Sequence, residues 1–268
     1  PKRPPLAESR PGESQSQFSQ SQGGRAKRAR PAPPGARVLF TGVVVDDRVR
    51  AAVSGGNMSI ATRAREATHV VCATPPRRTP KFLAAISVAR HAVTLDWLWQ
   101  SDQLGRAADE VAYAVRDPIR EAAWGFDLSA SLARTRAGER CLAGHALVLD
   151  HRARRPERKL KLPTDGELRE IAECAGAVYL AKPADAARRA RPGAFPAGVV
   201  LLGDPDLAPD AALRDALGGA SIVAHVGPNV LWAAILSKEL PWAKATPAAS
   251  HDSQIVAAPG GGLGGGSQ

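Results

Sequence analysis

The sequence predicts an α/β fold of two repeats, each a small parallel sheet flanked by helices, joined by a linker helix. Three observations predict it. Short apolar runs that read as buried strands alternate with segments of helical spacing, as in a parallel sheet covered by helices. The same order of elements returns in the second half of the chain. The 268 residues, 44% of them hydrophobic, suffice for two domains of ordinary size.

The first half supplies its elements in order. RVLFTG, from Arg37, is a short apolar run ending in glycine, a buried strand and then a turn. DDRVRAAVSGG reads as a short helix closed by Gly55 and Gly56. ATHVVCA is a second strand, with His69 inside it as a packed side chain rather than a catalytic one. TPKFLAAISVAR has helical spacing, with Pro80 tolerated in the first turn. HAVTLDWLWQSDQLG reads as a brief strand, then a helix capped by Thr94 and stopped by Gly105. Residues 109–138 form a connector. In it Phe126, Leu128 and Leu132 stand at helical spacing, so a helix with one buried face is expected.

The second half repeats the layout. HALVLD (145–150) is a strand, followed by the basic loop HRARRPERKLKLP. TDGELREIAECAGA is a helix, with Thr164 as cap and Glu167 three residues on, the capping-box pattern. AVYLA and AGVVLLG are strands, and APDAALRDALGG is a helix stopped by Gly218. ASIVAHV is a strand and GPNVLWAAILSKEL a final helix. The organisation that results is a tail over 1–36, a first repeat over 37–116, a linker with a helix over 117–138, a second repeat over 139–243 and a flexible tail over 244–268.

The N-terminal tail does not read as folded. It holds four Ser-Gln pairs, at Ser14, Ser16, Ser19 and Ser21. Ser-Gln is the dipeptide preferred by DNA-damage kinases. Arg25, Lys27, Arg28 and Arg30 follow, a basic cluster that reads as nuclear import or nucleic-acid contact. The chain begins at Pro1 and its one methionine is Met58, so it reads as a piece of a longer protein. Its formal net charge of +10 implies an acidic partner. No apolar run reaches the roughly 18 residues of a membrane span. Cys72, Cys141 and Cys174 have no zinc spacing, and their scatter argues against a disulfide framework. They read as small buried hydrophobes.

The late-helix tryptophan of LDWLWQS, Trp97, and the Gly55-Gly56 turn are the signature of the BRCT domain, and the unit resembles one. RVLFTG, RRTPKFL, LDWLWQS and DPIREAAWGFDLSASLARTR together resemble a tandem BRCT module over about 37–243. The pieces in 37–138 are specific. The second half matches mainly in layout, with Val230 where the late tryptophan belongs and Trp232 two residues on. The resemblance implies a four-stranded sheet in each repeat. It also implies a nuclear, chromatin-associated adaptor of the DNA damage response, without catalysis, metal or cofactor.

A phosphate site needs a fixed backbone N–H, a hydroxyl and a cation that converge. Thr41 and Gly42 end the first strand, where a parallel sheet opens its carboxyl edge to ligands, and Gly42 lets the backbone approach closely. Lys81 starts a helix, whose N-terminus also favours an anion. Each of these taken alone is an ordinary capping threonine, turn glycine or surface lysine. The resemblance assigns the three to phosphoserine. Arg78 lies three residues before Lys81, about one helical turn away, and can fork a second carboxylate or carbonyl along the peptide. In the resembled module this position binds the free C-terminal carboxylate of the phosphorylated tail of histone H2AX. Arg77 reads as a solvated neighbour, and Pro80 stands where an aliphatic residue is expected. Leu83, Leu162 and Pro163 are the candidate walls of the peptide groove, with core and loop as their alternative.

Two other function classes compete. A DNA-binding or scaffold module would use the basic tail and the loop 151–161, with steep salt dependence and indifference to phosphorylation. An enzyme would need a catalytic constellation, and the chain holds no GxxxxGK[ST], GxSxG or HExxH. The Thr41-Gly42, Arg78 and Lys81 set separates the first reading from DNA binding, which does not require it.

Overall fold

The structure, a computed structural model, describes residues 35–158, 160–189 and 193–243. The chain enters on β1 (Arg37–Thr41), whose buried Val38, Leu39, Phe40 and Thr41 make it a central strand. It continues through α1 (Asp47–Gly55), β2 (Ser59–Ile60), β3 (His69–Cys72), α2 (Pro80–Ile86), β4 (His91–Thr94) and α3 (Leu95–Leu104). The strands form one parallel sheet in the order β2-β1-β3-β4. α1 and α3 cover one face around Val53, Val71, Trp97 and Leu98.

The Gly55-Gly56 turn shows why small residues stand there. A Cβ on Gly55 would overlap the Asp102 carboxylate of α3, and one on Gly56 would come within 3.2 Å of Ser101 Cβ. The glycines let α1 and α3 close over Trp97, which is 0% exposed and donates its indole N–H to Ala108 O at 3.1 Å.

The connector holds two helices rather than one: α4 (Pro118–Trp124) and α5 (Leu128–Arg136). Gly125, at φ +70°, ends α4, and Asp127 caps α5 through Ala130 N–H. Phe126 therefore precedes the helix it was expected to join, and it stacks on Trp124.

The second repeat runs β5 (His145–Leu149), α6 (Asp165–Ala175), β6 (Val178–Leu180), α7 (Pro183–Arg189), β7 (Gly198–Leu202), α8 (Ala211–Ala216), β8 (Ile222–Val226) and α9 (Pro228–Ser237). Its sheet is again parallel, in the order β6-β5-β7-β8. The Thr164–Glu167 capping box is formed, with both reciprocal bonds present. Thr94 occupies the N-cap position of α3 but makes no side-chain capping bond. β2 and α7 have no counterpart in the sequence reading; β2 is only two residues long, too short for a periodic signal.

A continuous core joins the repeats. α2 of the first packs against α6 and α9 of the second, with Leu83, Ile86, Leu168, Ile171, Leu231 and Ile235 in one cluster. Trp232 is 6% exposed within that cluster, whereas Val230 is 44% exposed. Trp232 thus lies in the core that the two repeats share. Among the described residues no helix is long and apolar enough to cross a membrane. The Ser-Gln and basic segments of the N-terminal tail, and the tail from 244, lie outside the described residues.

Candidate functional site

Thr41 is the last residue of β1 and is 4% exposed. Its hydroxyl oxygen lies 2.6 Å from the hydroxyl oxygen of Thr79. Thr79 is the N-cap of α2, and its oxygen accepts the Phe82 N–H at 3.1 Å. One lone pair of Thr79 is therefore taken, and its O–H can be donated to Thr41. That arrangement leaves the Thr41 proton available to an outside acceptor. Gly42 follows at φ +71°, exposed, where a Cβ would come within 3.1 Å of Ala73 Cβ. Both the left-handed backbone and the close neighbour favour glycine.

Lys81 is exposed at the second position of α2, two residues from the Thr79 cap. The end of β1 and the start of α2 are thus fixed to each other by the Thr41–Thr79 contact. That contact brings Thr41, Gly42 and the first turn of α2 together. Pro80 sits at the first helical position, where its missing N–H leaves nothing unsatisfied. Thr41 and the exposed Gly42 thus stand at the end of β1, with Lys81 on the first turn of the helix tied to it.

Arg78 reaches the second repeat. Its Nη2 donates to Asn229 Oδ1 at 2.8 Å, on the first turn of α9. Its guanidinium lies 5.9 Å from the centroid of the Trp124 ring on α4. Burial lowers its pKa, but a guanidinium stays charged throughout the physiological range. Asn229 uses one of five N–H donors, so the fork can still hold a carboxylate. Arg78 stands where the first repeat, the linker and the second repeat meet.

The other candidates are placed differently. Leu83 is 2% exposed and belongs to the core against α6, so it offers no wall to a groove. Its position four residues past the Thr79 cap turns it inward with the other apolar residues of α2. Leu162 is half-buried against the same core. Pro163 is half-buried, and its carbonyl accepts from Arg154 Nη2 at 2.9 Å. The described contacts surround Arg78 with Trp124 and Asn229 instead.

In the basic loop, Arg152 is paired with Asp150 and Arg154 with Asp165, each at 2.6 Å. Lys159 and the side chain of Arg158 lie outside the described residues. Burial pushes the thiols of Cys72 and Cys174 up to about 12, which makes them poor nucleophiles.

Thr79, Trp124 and Asn229 were missed by the sequence reading. A threonine before a proline at a helix start is a readable cap signal for Thr79. Trp124 carries the weaker signal of an aromatic in a connector. Asn229 has none, since it meets Arg78 across 151 residues.

No protein-family model matches the chain. The chain is 37% identical over 144 residues to mediator of DNA damage checkpoint protein 1 of Homo sapiens. That match covers 54% of this chain and 6% of the human protein. It is 32% identical over 149 residues to PAX-interacting protein 1 of Bos taurus, covering 54% of this chain and 14% of that one. The chain thus spans a small part of the curated relatives it matches. Among solved structures, the BRCT5-BRCT6 domains of S. pombe Brc1 superpose with a TM-score of 0.59 at 22% identity. The superposition covers 77% of this chain and 94% of that one. The two four-stranded sheets and their helices have the fold of a tandem BRCT module. RVLFTG, RRTPKFL, LDWLWQS and DPIREAAWGFDLSASLARTR resemble, more narrowly, the C-terminal BRCT pair of mediator of DNA damage checkpoint protein.

Proposed function

We propose that the chain is a non-catalytic adaptor that reads a phosphoserine peptide, with residues 37–116 and 139–243 as its two BRCT repeats and 117–138 as the linker. The Thr41 hydroxyl, the Gly42 N–H and the Lys81 ammonium hold the phosphate. Arg78 holds a carboxylate or carbonyl further along the peptide. One observation carries the reading: Thr41 is buried, bonded to the helix cap Thr79, and adjoins an exposed left-handed glycine. A threonine serving only the core would not need that company.

The ligand is the phosphorylated C-terminal tail of histone H2AX, and the site of action is nuclear chromatin at DNA breaks. This rests on the sequence resemblance and on the distance in sequence between Lys81 and Arg78. It also agrees with relatives named for DNA damage checkpoint function. DNA binding through the basic loop is the weaker reading, because Arg152 and Arg154 are tied to Asp150 and Asp165.

Calorimetric titration with a peptide ending in pSer-Gln-Glu-Tyr tests the proposal. Binding requires the phosphate, and Lys81→Met weakens it at least ~10-fold, the scale of one charge-assisted hydrogen bond. Arg78→Gln and the C-terminal amide each weaken it by a similar ~10-fold factor. Binding that needs phosphate but ignores the amide would retain the adaptor and remove the tail-specific ligand. Binding that ignores phosphate and falls steeply with salt would replace this reading with DNA.

A further inference from the structure

Away from the peptide groove, the parallel pairing of β3 and β4 sets His69 directly beside His91. Their rings stand 4.8 Å apart, nearly parallel at 14°. The connector folds back over this edge through the Val93–Ala114 bridge and brings Glu110 with it. Glu110 Oε1 lies 3.0 Å from His69 Nε2. One donor atom from each of the three side chains lies within 4.8 Å of the others. His69 is 7% exposed, whereas His91 and Glu110 border an open cavity of about 520 Å³. His91 is half-buried beside His69 at this edge.

We propose that His69 Nε2, His91 and the Glu110 carboxylate form a binding site for a zinc ion, with the fourth position open to water from the cavity. Two neutral nitrogens and one anionic oxygen suit a borderline transition cation rather than magnesium or calcium, which take oxygen ligands. Burial lowers the pKa of both imidazoles, so their lone pairs are available at neutral pH. The second ligand shell is present as well, since Thr68 Oγ1 lies 2.8 Å from His69 Nδ1.

The protons balance on both sides. Without metal, His69 Nε2–H donates to Glu110 and the Thr68 hydroxyl donates to Nδ1. Zinc takes the place of the Nε2 proton, which leaves to solvent while Nδ1 takes up one proton from solvent, so the ring stays neutral and no net proton is released. Nδ1–H then donates to Thr68, whose hydroxyl turns to Arg37 O at 3.2 Å. The Arg37 N–H donates to Thr68 Oγ1 in both states, at 2.8 Å. Thr68 and His69 thus keep their partners in both states.

Parallel rings hold their lone pairs in parallel planes, so His91 must tilt out of the stack to reach the ion. The cavity on its open side gives it room. The positive charges of Arg90 and Arg136 act on His91 and oppose added positive charge there, which weakens the site. The bound ion would tie the connector to the sheet edge, and the connector leads directly into α4 and Trp124.

The test uses the tag-free chain stripped with a chelator and titrated calorimetrically with zinc chloride. Cobalt(II) serves as a visible-absorption probe of tetrahedral coordination. His91→Phe keeps the ring stack but removes the ligand, and Glu110→Gln keeps an acceptor for His69. Melting without zinc establishes that each variant folds. One zinc per chain should bind, raising the melting temperature by ~3–5 °C at saturation. Either substitution should weaken binding at least ~10-fold and abolish the cobalt band. The proposal fails if wild type shows no saturable binding below ~100 µM. It also fails if both variants bind zinc as wild type does.

Discussion

At Lys238 the backbone turns left-handed, with φ +60°, and the side chain enters the seam between the repeats. Nζ donates to Ser87 Oγ at 3.2 Å, at the C-terminal end of α2. The residue is 7% exposed, and burial pushes its pKa down to about 8. In the unfolded chain a lysine titrates near 10.4. The folded state therefore disfavours the proton. The stability tied to this group is fully present above about pH 10.4 and is lost as the pH falls through about 8. Lys238→Met should stabilise the protein at pH 7 by about 1–3 kcal/mol and flatten the rise between pH 8 and 10. Urea denaturation of both proteins at pH 7, 8.5 and 10 measures this. A destabilised variant, or an unchanged slope, would contradict it.

Single residues differed in how far the sequence exposed them. Trp97 was legible through the resemblance, which pairs a late-helix tryptophan with the Gly55-Gly56 turn. Leu83 misled, because an apolar residue beside a basic cluster reads equally as groove wall or as core. Only its inward direction on α2 decides between them.

Among the elements, α2 matters most to the site. It is seven residues long, too short to persist by propensity alone, and its start depends on the Thr79 cap and Pro80. Thr79→Ala should cost about 1 kcal/mol of stability, the usual scale of a lost N-cap. The same change removes the partner that orients the Thr41 hydroxyl, so phosphopeptide affinity should fall ~3–10-fold. Thr79→Ser should restore both. Paired calorimetry and thermal melts check the prediction. A loss of stability with unchanged affinity would show that Thr79 serves the helix alone.

Strands and helices were legible where periodicity was long. The Thr164–Glu167 box was readable because both partners lie within one turn. The Thr94 cap was readable as a position, but its bond does not form. The split of the linker into α4 and α5 turns on Gly125, whose role needed its φ to be known.

Across the whole molecule, the seam of α2, α6 and α9 makes one body of two repeats. Glu170 on α6 supplies a polar lock in it. Its Oε1 accepts the N–H of Ala64, in the turn before β3, at 2.7 Å across 106 residues. Ala64 is 1% exposed, so removing the carboxylate leaves that N–H without a partner. Glu170→Ala should cost about 1–3 kcal/mol, and Glu170→Gln less. It should also broaden or split the calorimetric unfolding transition as the repeats uncouple. A single sharp transition with unchanged midpoint would show that the apolar seam suffices.

A resemblance to BRCT modules supplied the place of Trp97 and the candidate phosphate set, and the sequence by itself determined the fold class and the two repeats. Those depend on periodicity, turn chemistry and spacings within one strand or one helical turn. The tertiary structure decided which residues stand around the candidate sites. Thr79 meets Thr41 across 38 residues, Arg78 meets Asn229 across 151, and His69 meets His91 only because two parallel strands share a register. Contacts of that span depend on how apolar faces close over one another, and a chain read in order carries no local mark of them.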